Sequence, residues 1–265
     1  MLPLIVLKSL TFVCFLLIAS PFLQAQESAR GGQHALSLAA YRSGGSFSLD
    51  LDTNILFLPV RYEYDQGNWG FQLSVPYLEV DGPGSVLVNL GGVNRVVAPT
   101  WARKESGVGD VLTTVVYRVN PLAASLPFID LRLDVKIPTA DEQKGLGTGE
   151  TDYNLQVDLS QYLGKWVVFA TAGYSFRGQT ELFPDLRSGA YAQLGAALPL
   201  LEEFSVGIIY DFRQAVSGFT SEIQEIGPYF SWQFDEHWTF TGLGMTGLNN
   251  ASVDYSFLAQ LRYNW

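Results

Sequence analysis

The sequence predicts an all-β protein, a single transmembrane up-and-down antiparallel β-barrel of about twelve strands. Three observations predict this fold. Successive segments of about ten residues alternate apolar and polar side chains, as strands with one oily and one wet face do. The connections between them alternate between short and long. Charged residues make up 16% of the chain and aromatic residues 14%, which suits a wall with half of its side chains in hydrocarbon.

Residues 1–25 are predicted to be a cleaved signal peptide, and residues 26–265 to form one outer-membrane barrel domain. Lys8 is the only charge before residue 27, an apolar run extends from Leu10 to Ile18, and Ala25 offers a cleavage point. The expected location is therefore the cell outer membrane. The chain has 16 Lys and Arg against 26 Asp and Glu, and this acidic balance argues against nucleic acid as a partner.

The strands are recognised one by one from side chains that alternate with a period of two. The fifth alternates most regularly, with Leu131 and Leu133 on one face and Arg132 and Asp134 on the other. The eighth is the least decisive because it consists mostly of Ala and Gly. In order, the predicted strands are 34–41, 55–64, 69–80, 111–118, 128–138, 151–162, 166–177, 189–198, 204–213, 226–234, 238–248 and 253–265.

The turns and loops between these strands support the same topology. Short connections lie at 65–68, 120–127, 163–165, 201–203 and 235–237. Longer ones lie at 42–54, 81–109, 139–150, 178–188 and 215–225, and only 249–252 breaks the alternation. Outer-membrane barrels have this asymmetry, with short periplasmic turns and longer outside loops.

Aromatic residues gather at the end of the strands that carries the short turns. This pattern predicts a girdle at the periplasmic membrane interface. The last strand, 253–265, ends on an aromatic residue, as the assembly signal of such barrels does, so the barrel-assembly machinery is an expected partner together with outer-membrane lipid. The residues assigned to the girdle and assembly signal are Trp69, Trp166, Trp238, Tyr263 and Trp265.

Charged residues of both signs fall on the strand face opposite the lipid-facing one, so they are predicted to line the lumen. Two interpretations stay open. The charges pair with one another and fill the interior, or they line a path for a small hydrophilic solute. The predicted lumen residues are Arg61, Glu63, Arg118, Asp130, Arg132, Asp134, Lys136, Asp152, Asp158, Arg177, Asp211, Arg213, Asp254 and Arg262.

The sequence gives little support to enzymatic chemistry. His34 and His237 are its two histidines, and both are predicted at the turn end, away from where an outer-membrane lipase holds its Ser–His pair. No histidine or cysteine pair has metal-ligand spacing. The expectation is a protein that is not an enzyme and that uses no cofactor or metal.

The connection 81–109 is too apolar for an ordinary outside loop, since Val86, Leu87, Val96 and Trp101 lie within it. It is predicted to fold onto the mouth of the barrel or into the lumen. There it would form either a constriction or a lid packed on neighbouring loops.

Three short stretches resemble one family. They are Ser106-Gly107-Val108-Gly109-Asp110 before a strand that ends in Tyr117-Arg118, then Lys136-Ile137-Pro138-Thr139, and then Gly145-Leu146-Gly147-Thr148-Gly149 with Thr151-Asp152-Tyr153. They look like the transporter-like outer-membrane family labelled "putative MetA-pathway of phenol degradation". The resemblance implies a Gram-negative outer-membrane barrel that passes small or aromatic compounds, and it supplies no functional residues to carry over.

The expected function is passive passage of a small solute across the outer membrane, including aromatic or otherwise apolar compounds. The alternative is a closed structural or surface-interaction barrel without transport. A twelve-stranded barrel lies between the filled eight-stranded barrels and the open porins, so strand number alone does not separate the two functions.

Overall fold

The computed structural model describes residues 32–45, 53–82, 86–89, 94–97, 104–121, 123, 126–179, 186–216 and 221–265. In these ranges the chain forms strands and one short 3-10 helix, Glu142–Lys144. None of the described helices is long and apolar enough to span a membrane. The strands are β1 Gln33–Gly45, β2 Thr53–Gln66, β3 Trp69–Asp81, β4 Val86–Asn89, β5 Asn94–Val97, β6 Lys104–Val108, β7 Val111–Val119, β8 Phe128–Ile137, β9 Asp152–Leu163, β10 Trp166–Phe176, β11 Gly189–Pro199, β12 Phe204–Arg213, β13 Ile223–Gln233, β14 Trp238–Gly247 and β15 Tyr255–Asn264.

The wall is a closed antiparallel barrel. Each wall strand pairs with the next one along the chain, and β1 pairs with both β2 and β15, so no sheet edge is left open. The strands β6 and β7 lie end to end along β3 and count as one wall strand. The barrel therefore has twelve wall strands, and the predicted fold class is confirmed.

A β-bulge separates β6 from β7. Tyr77 faces Val108 and Ser74 faces Leu112, so three steps along β3 oppose four along its partner. The extra residue falls at 109–110, where the Gly109 amide donates to the Pro76 carbonyl at 2.9 Å. A bulge bends its strand and changes which side chains point inward. Here it turns the side chain of Asp110 into the barrel, where it is buried.

The two faces of the wall differ as the alternation predicts. Large apolar side chains are exposed on the outside of most wall strands, while charged and polar side chains are buried on the inside. This is the arrangement of a wall with lipid outside and a polar interior. Exposed examples around the barrel are Leu38, Val60, Leu73, Leu133, Leu155, Leu194, Ile208 and Phe257.

Several strand ends differ from the prediction. The strand 204–213 coincides with β12, but residues 104–108 form β6 inside what was predicted as a connection. Similarly, β13 begins at Ile223, within the predicted loop 215–225. Part of the connection 81–109 forms the β4–β5 hairpin. Its residues 83–85, 90–93 and 98–103 lie outside the described residues, and with them most of the predicted constriction.

Inside the barrel, three aromatic rings lie over glycines that face them on the neighbouring strand. The cross-strand pairs are Phe169 with Gly195, Tyr191 with Gly173, and Tyr229 with Gly207. A Cβ atom at any of these glycines would overlap the ring. Glycine is therefore needed at these positions because each ring lies flat against the wall instead of projecting across the lumen.

Replacing Gly195 with alanine is expected to destabilise the barrel by about 1–3 kcal/mol, because the added methyl group forces the Phe169 ring off the wall. Urea unfolding of the purified barrel in lipid vesicles, followed by tryptophan fluorescence, measures this change. Gly244 is the matched control. It faces Phe257 on the outer surface, and its nearest Cβ contact would be an ordinary 3.4 Å. Equal destabilisation by both alanine variants would contradict the proposed role of ring packing.

The barrel interior as candidate functional site

Charged side chains concentrate on one side of the interior, along the neighbouring strands β8 and β9. On β8 the signs alternate through Asp130, Arg132, Asp134 and Lys136, all buried. Across the ladder these four residues face Asp158, Gln156, Asn154 and Asp152, respectively. The period of two points all eight side chains to the same face. They form a continuous polar surface along the strands, which we call the charged wall.

At the loop end of the charged wall, Lys136 holds three partners. Its Nζ lies 3.2 Å from Asp110 Oδ2 and 2.8 Å from Asp152 Oδ2, and it donates to Thr148 Oγ1 at 2.8 Å. The Lys136 side chain is about 2% exposed. An ammonium group has three N–H donors, and here each meets an oxygen. The charge is therefore fully compensated, and Lys136, Asp110, Asp152 and Thr148 form what we call the Lys136 lock.

The β8–β9 loop folds into the mouth of the barrel through this lock. Asp141 caps the short 3-10 helix by accepting from the amides of Gln143 and Lys144. Leu146 and Thr148 then enter the interior and are buried. Asp110 Oδ1 accepts from the amides of Thr139 and Ala140 at 3.2 and 3.0 Å. One carboxylate thus fixes both the start of the loop and the lysine that holds its end.

Lower in the barrel, Arg132 and Asp134 together join three wall strands, β3, β7 and β8. Its Nη2 donates to Gln72 Oε1 at 3.3 Å and lies 3.4 Å from Asp134 Oδ1. Thr114 also donates to Asp134 Oδ1, at 2.5 Å. Next to it, Asp158 accepts from Gln156 and from Thr171, the latter at 2.6 Å. The middle of the charged wall therefore consists of two neighbouring hydrogen-bonded groups and not of isolated ions.

Other interior charges pair elsewhere around the barrel. Arg262 of β15 lies 3.0 Å from Glu63 of β2, so this pair spans β1 beside the seam. On the far side, Arg213 lies 2.5 Å from Asp211 and 2.9 Å from Glu225. These interior pairs are buried, so removing one partner leaves a buried charge without compensation.

Away from these charges, the interior carries apolar side chains among neutral polar ones such as Ser231 and Thr241. The apolar side chains form one cluster that reaches from the loop end, with Ile55, Phe57 and Leu78, to the turn end, with Val167 and Ala197. The folded-in Leu146 belongs to the same cluster. The interior therefore presents a polar and an apolar surface together, and a molecule inside would meet both. The complete cluster is Tyr41, Ile55, Phe57, Leu78, Val80, Leu146, Val167, Phe169, Ala197, Ile209, Tyr229 and Leu258.

The structure buries twelve of the fourteen predicted lumen residues. Arg118 is only partly buried, near the turn end, with Nη2 2.6 Å from Asp65 Oδ1. Asp254 does not point inward as predicted. Its side chain is exposed and β15 begins one residue later, at Tyr255, while the Asp254 amide donates to the carbonyl of Gly44 near the end of β1. The twelve are Arg61, Glu63, Asp130, Arg132, Asp134, Lys136, Asp152, Asp158, Arg177, Asp211, Arg213 and Arg262.

Sequence reasoning missed several interior residues. Glu225 lies in the predicted connection 215–225. Asp110 falls between the predicted connection 81–109 and the predicted strand 111–118, although it stands in one of the stretches that carry the family resemblance. Asn154 and Gln156 lie on the polar face of the sixth predicted strand but carry no charge. Thr148 had only its glycine-rich surroundings as a signal, and such surroundings also describe an ordinary hairpin loop.

Aromatic side chains form a chain of contacts at the turn end. Ring centroids are 5.5 Å apart for Trp232 and Phe234, 6.4 Å for Phe234 and Trp238, 4.7 Å for Trp238 and Tyr263, and 5.7 Å for Tyr263 and Trp265. The predicted girdle residues Trp69 and Trp166 are exposed at the same end on other strands. The aromatic chain crosses the barrel seam, because Trp265 stacks on His34 of β1 at 5.6 Å.

Both histidines lie at the turn end and have partners there. Nδ1 of His34 is 2.7 Å from the Tyr62 hydroxyl, and Nδ1 of His237 is 2.9 Å from the Asn264 carbonyl oxygen. Among the described residues, no group of three or more His, Cys, Asp and Glu side chains is arranged to hold a metal ion. The carboxylates of Asp110 and Asp152 are paired with the ammonium group of Lys136.

Comparisons with known proteins agree on the fold. The sequence profile of a family described as "Putative MetA-pathway of phenol degradation" matches residues 28–265. A search of curated proteins by sequence found no significant match.

Three solved structures illustrate the structural likeness. An outer-membrane channel from Pseudomonas putida F1 is 14% identical, with a TM-score of 0.66, over 89% of this chain and 96% of its own. The NanC porin is 11% identical, with a TM-score of 0.55, over 86% and 98%. The β-domain of the Bordetella autotransporter BrkA is 13% identical, with a TM-score of 0.52, over 88% and 99%. At these identities the likeness concerns the barrel fold alone.

Proposed function

The chain belongs to the family described as "Putative MetA-pathway of phenol degradation", and from this premise we propose that it is an outer-membrane barrel for passive passage of a small solute. The observation that carries the proposal is the two-sided interior. A charged wall runs along β8 and β9, and an apolar surface extends from the loop end to the turn end beside it. A purely structural interior has no need to keep both surfaces over this length, whereas an amphipathic solute needs both.

Side chains fill much of the barrel interior, and this limits the size of the solute. Twelve of the predicted lumen charges are each less than a tenth exposed, and the Lys136 lock holds Leu146 and Thr148 in the mouth. A wide aqueous channel would leave such side chains accessible to water. The proposed passage therefore admits small molecules and excludes oligosaccharide-sized ones. Outer-membrane lipid surrounds the barrel, and its exposed apolar side chains provide the matching surface.

Liposome swelling tests the proposal. Vesicles that contain the purified full-length barrel are expected to swell in erythritol faster than protein-free vesicles and to respond little to raffinose, because only the smaller polyol fits the interior. Swelling at the protein-free rate in every solute would leave the closed structural or surface-interaction barrel as the function.

A plugging variant adds a matched comparison. Ser231 is buried on the inner face, opposite Ser205 and Thr241, so Ser231→Trp should fill the space between small side chains and slow swelling severalfold. The neighbouring Phe230 points outward and pairs with Phe204 and Phe240 rings, and Phe230→Trp should leave the rate unchanged. Both variants must first show the heat-dependent gel mobility of a folded barrel. Equal rates for the two folded variants would contradict passage through the lumen.

A further inference from the structure

Four buried polar atoms without a hydrogen-bond partner lie together on the charged wall. They are Nε and Nη1 of Arg132, Oδ2 of Asp134 and Nδ2 of Asn154. Asp134 and Asn154 are direct cross-strand partners. Arg132 and Gln156 form the adjacent pair whose side chains also face the lumen. All three side chains are at least nine-tenths buried. A buried polar atom without a partner is unfavourable, so several in one place indicate a site whose bonds are completed by another molecule.

These three side chains are fixed by their other atoms. Asp134 Oδ1 accepts from Thr114 at 2.5 Å, and Arg132 Nη2 donates to Gln72 at 3.3 Å. The unpaired atoms are thus held in place on a rigid wall, as a preorganised site requires. Elsewhere among the described residues, Arg118 and Arg177 each leave a single Nε unpaired, and Arg213 Nε is accompanied by Asp211 Oδ2. The charged wall differs because four unpaired atoms from three adjacent residues lie together there.

The neighbouring residues do not share this property. Asp158 accepts from Thr171 at 2.6 Å and from Gln156 Nε2 at 2.8 and 2.9 Å. Gln156 Oε1 in turn accepts from the Tyr191 hydroxyl at 2.8 Å. The network is therefore complete on the turn side of the cluster, and the unpaired atoms mark one position along the barrel.

The chemistry of the unpaired atoms selects a class of ligand. Arg132 and Asn154 offer N–H donors, while Asp134 offers an acceptor. A hydroxyl group is the simple group that accepts from the first two and donates to the third. Asp130 and Asp158 lie one cross-strand pair beyond Arg132, and Arg61 interacts electrostatically with Arg132 and Asp134. The three carboxylates still outnumber the two arginines, so an anionic ligand is disfavoured. An ammonium ligand cannot accept from Arg132 at all.

We propose that Arg132, Asp134 and Asn154 form a binding site within the barrel for a neutral, hydroxyl-bearing solute with an apolar body. The apolar body would lie against the ring of Tyr191, which covers Gly173 next to Gln156 and so lies beside Arg132. The proposal rests on passage of a small solute as the function, and it adds a defined place and a chemical class. At this position a hydroxyl group can bond to several unpaired donors and acceptors. Fewer such atoms lie together elsewhere in the described interior.

Phenol, toluene and benzoate are suitable probes because they share a ring and differ in one substituent. Titration of the purified full-length barrel in detergent, followed by ligand-observed NMR, should show saturable binding of phenol. Toluene and benzoate should bind at least about tenfold more weakly, since one lacks the hydrogen bonds and the other carries the disfavoured charge. Equal binding of toluene would show that the interior selects by shape alone and would overturn the proposal.

Substitutions test the named residues. Asp134→Asn keeps the shape and the acceptor for Thr114 but removes the charged acceptor, and it should weaken phenol binding about tenfold. Asp254→Asn is the matched control, because the same change is made at an exposed loop residue, and it should leave binding unchanged. Asn154→Ala provides a second variant if Asp134→Asn fails to fold.

Unchanged phenol affinity in a folded Asp134→Asn or Asn154→Ala barrel would overturn the proposed site. Swelling of wild-type vesicles in erythritol separates this outcome from failure of the proposed function. Swelling without site-dependent phenol binding rejects the site and retains passage. Site-dependent binding without swelling rejects passage and retains the site as a pocket in a closed barrel.

Discussion

Replacing Lys136 with methionine is expected to lower the free energy of unfolding by about 3–5 kcal/mol, the cost of removing one partner from a buried ion pair. Methionine keeps the length and volume of the side chain but leaves Asp110 and Asp152 as uncompensated buried carboxylates. It also removes the donor that holds Thr148 inside the mouth. Urea unfolding in lipid vesicles measures the loss, and limited proteolysis of the β8–β9 loop measures the release of residues 140–150.

Lys144→Met is the matched control for this prediction. Lys144 lies in the same loop, its side chain is 51% exposed, and its nearest carboxylate, of Asp141, is 3.9 Å away. An exposed pair of this kind contributes little, so the expected change is within about 0.5 kcal/mol. The triple variant with Lys136→Met, Asp110→Asn and Asp152→Asn should recover much of the lost stability, because it removes the charges together. A stable Lys136→Met barrel with a protease-resistant loop would contradict the lock.

The second prediction concerns the seam between the last strand and the first. Trp265→Ala is expected to reduce the amount of folded barrel in the outer membrane severalfold. The Trp265 ring stacks on His34 and Tyr263, at 5.6 and 5.7 Å, and its backbone exchanges two hydrogen bonds with His34, at 3.0 and 3.1 Å. The substitution removes the ring contacts that join the two ends of the sheet, together with the terminal aromatic proposed as the assembly signal.

Trp166→Ala separates the seam from the girdle in general. Trp166 is 49% exposed at the turn end of β10, against 53% for Trp265, but it lies far from the seam along the sheet. Both variants lose one interfacial tryptophan. Fractionation of outer membranes, with heat-dependent gel mobility as the measure of folding, should show a much larger loss for Trp265→Ala. Equal losses would mean that lipid anchoring, and not closure or assembly, accounts for the effect.

The wall could be predicted from the sequence because a barrel strand meets two different solvents. Lipid outside and a polar interior impose alternation on each strand, and the segment 204–213 carried it clearly enough to define β12 without error. Turn chemistry and aromatic placement then fixed the order and orientation of the hairpins. The strand ends at Ile223 and Tyr255 differ from the predicted ones, because alternation fades where the wall leaves the hydrocarbon.

The candidate site could be predicted only in part. Charges such as Asp130 and Arg132 stood out because a charge on a barrel strand must face inward. Neutral side chains gave no comparable signal, so Asn154 was not singled out. The Lys136 lock joins residues from three separate stretches of chain, and alternation within one strand carries no information about contacts between them. Whether a buried atom lacks a partner depends on distances of a few tenths of an ångström, which no pattern of residue types contains.

The bulge at 109–110 sets a strict length for the wall strand that contains it. Odd-numbered residues face inward in β6, where Gly107 lies against Leu146, whereas even-numbered residues such as Thr114 face inward in β7. Insertion of one further residue at the bulge would place Val108 opposite the inward-facing Leu78, turn it inward and remove the space that Leu146 occupies. Tolerance to insertions, usually high beside surface loops, is therefore low at this position. The bulge therefore fixes which residues of β6, at the rim of the barrel, face inward relative to those of β7 below them.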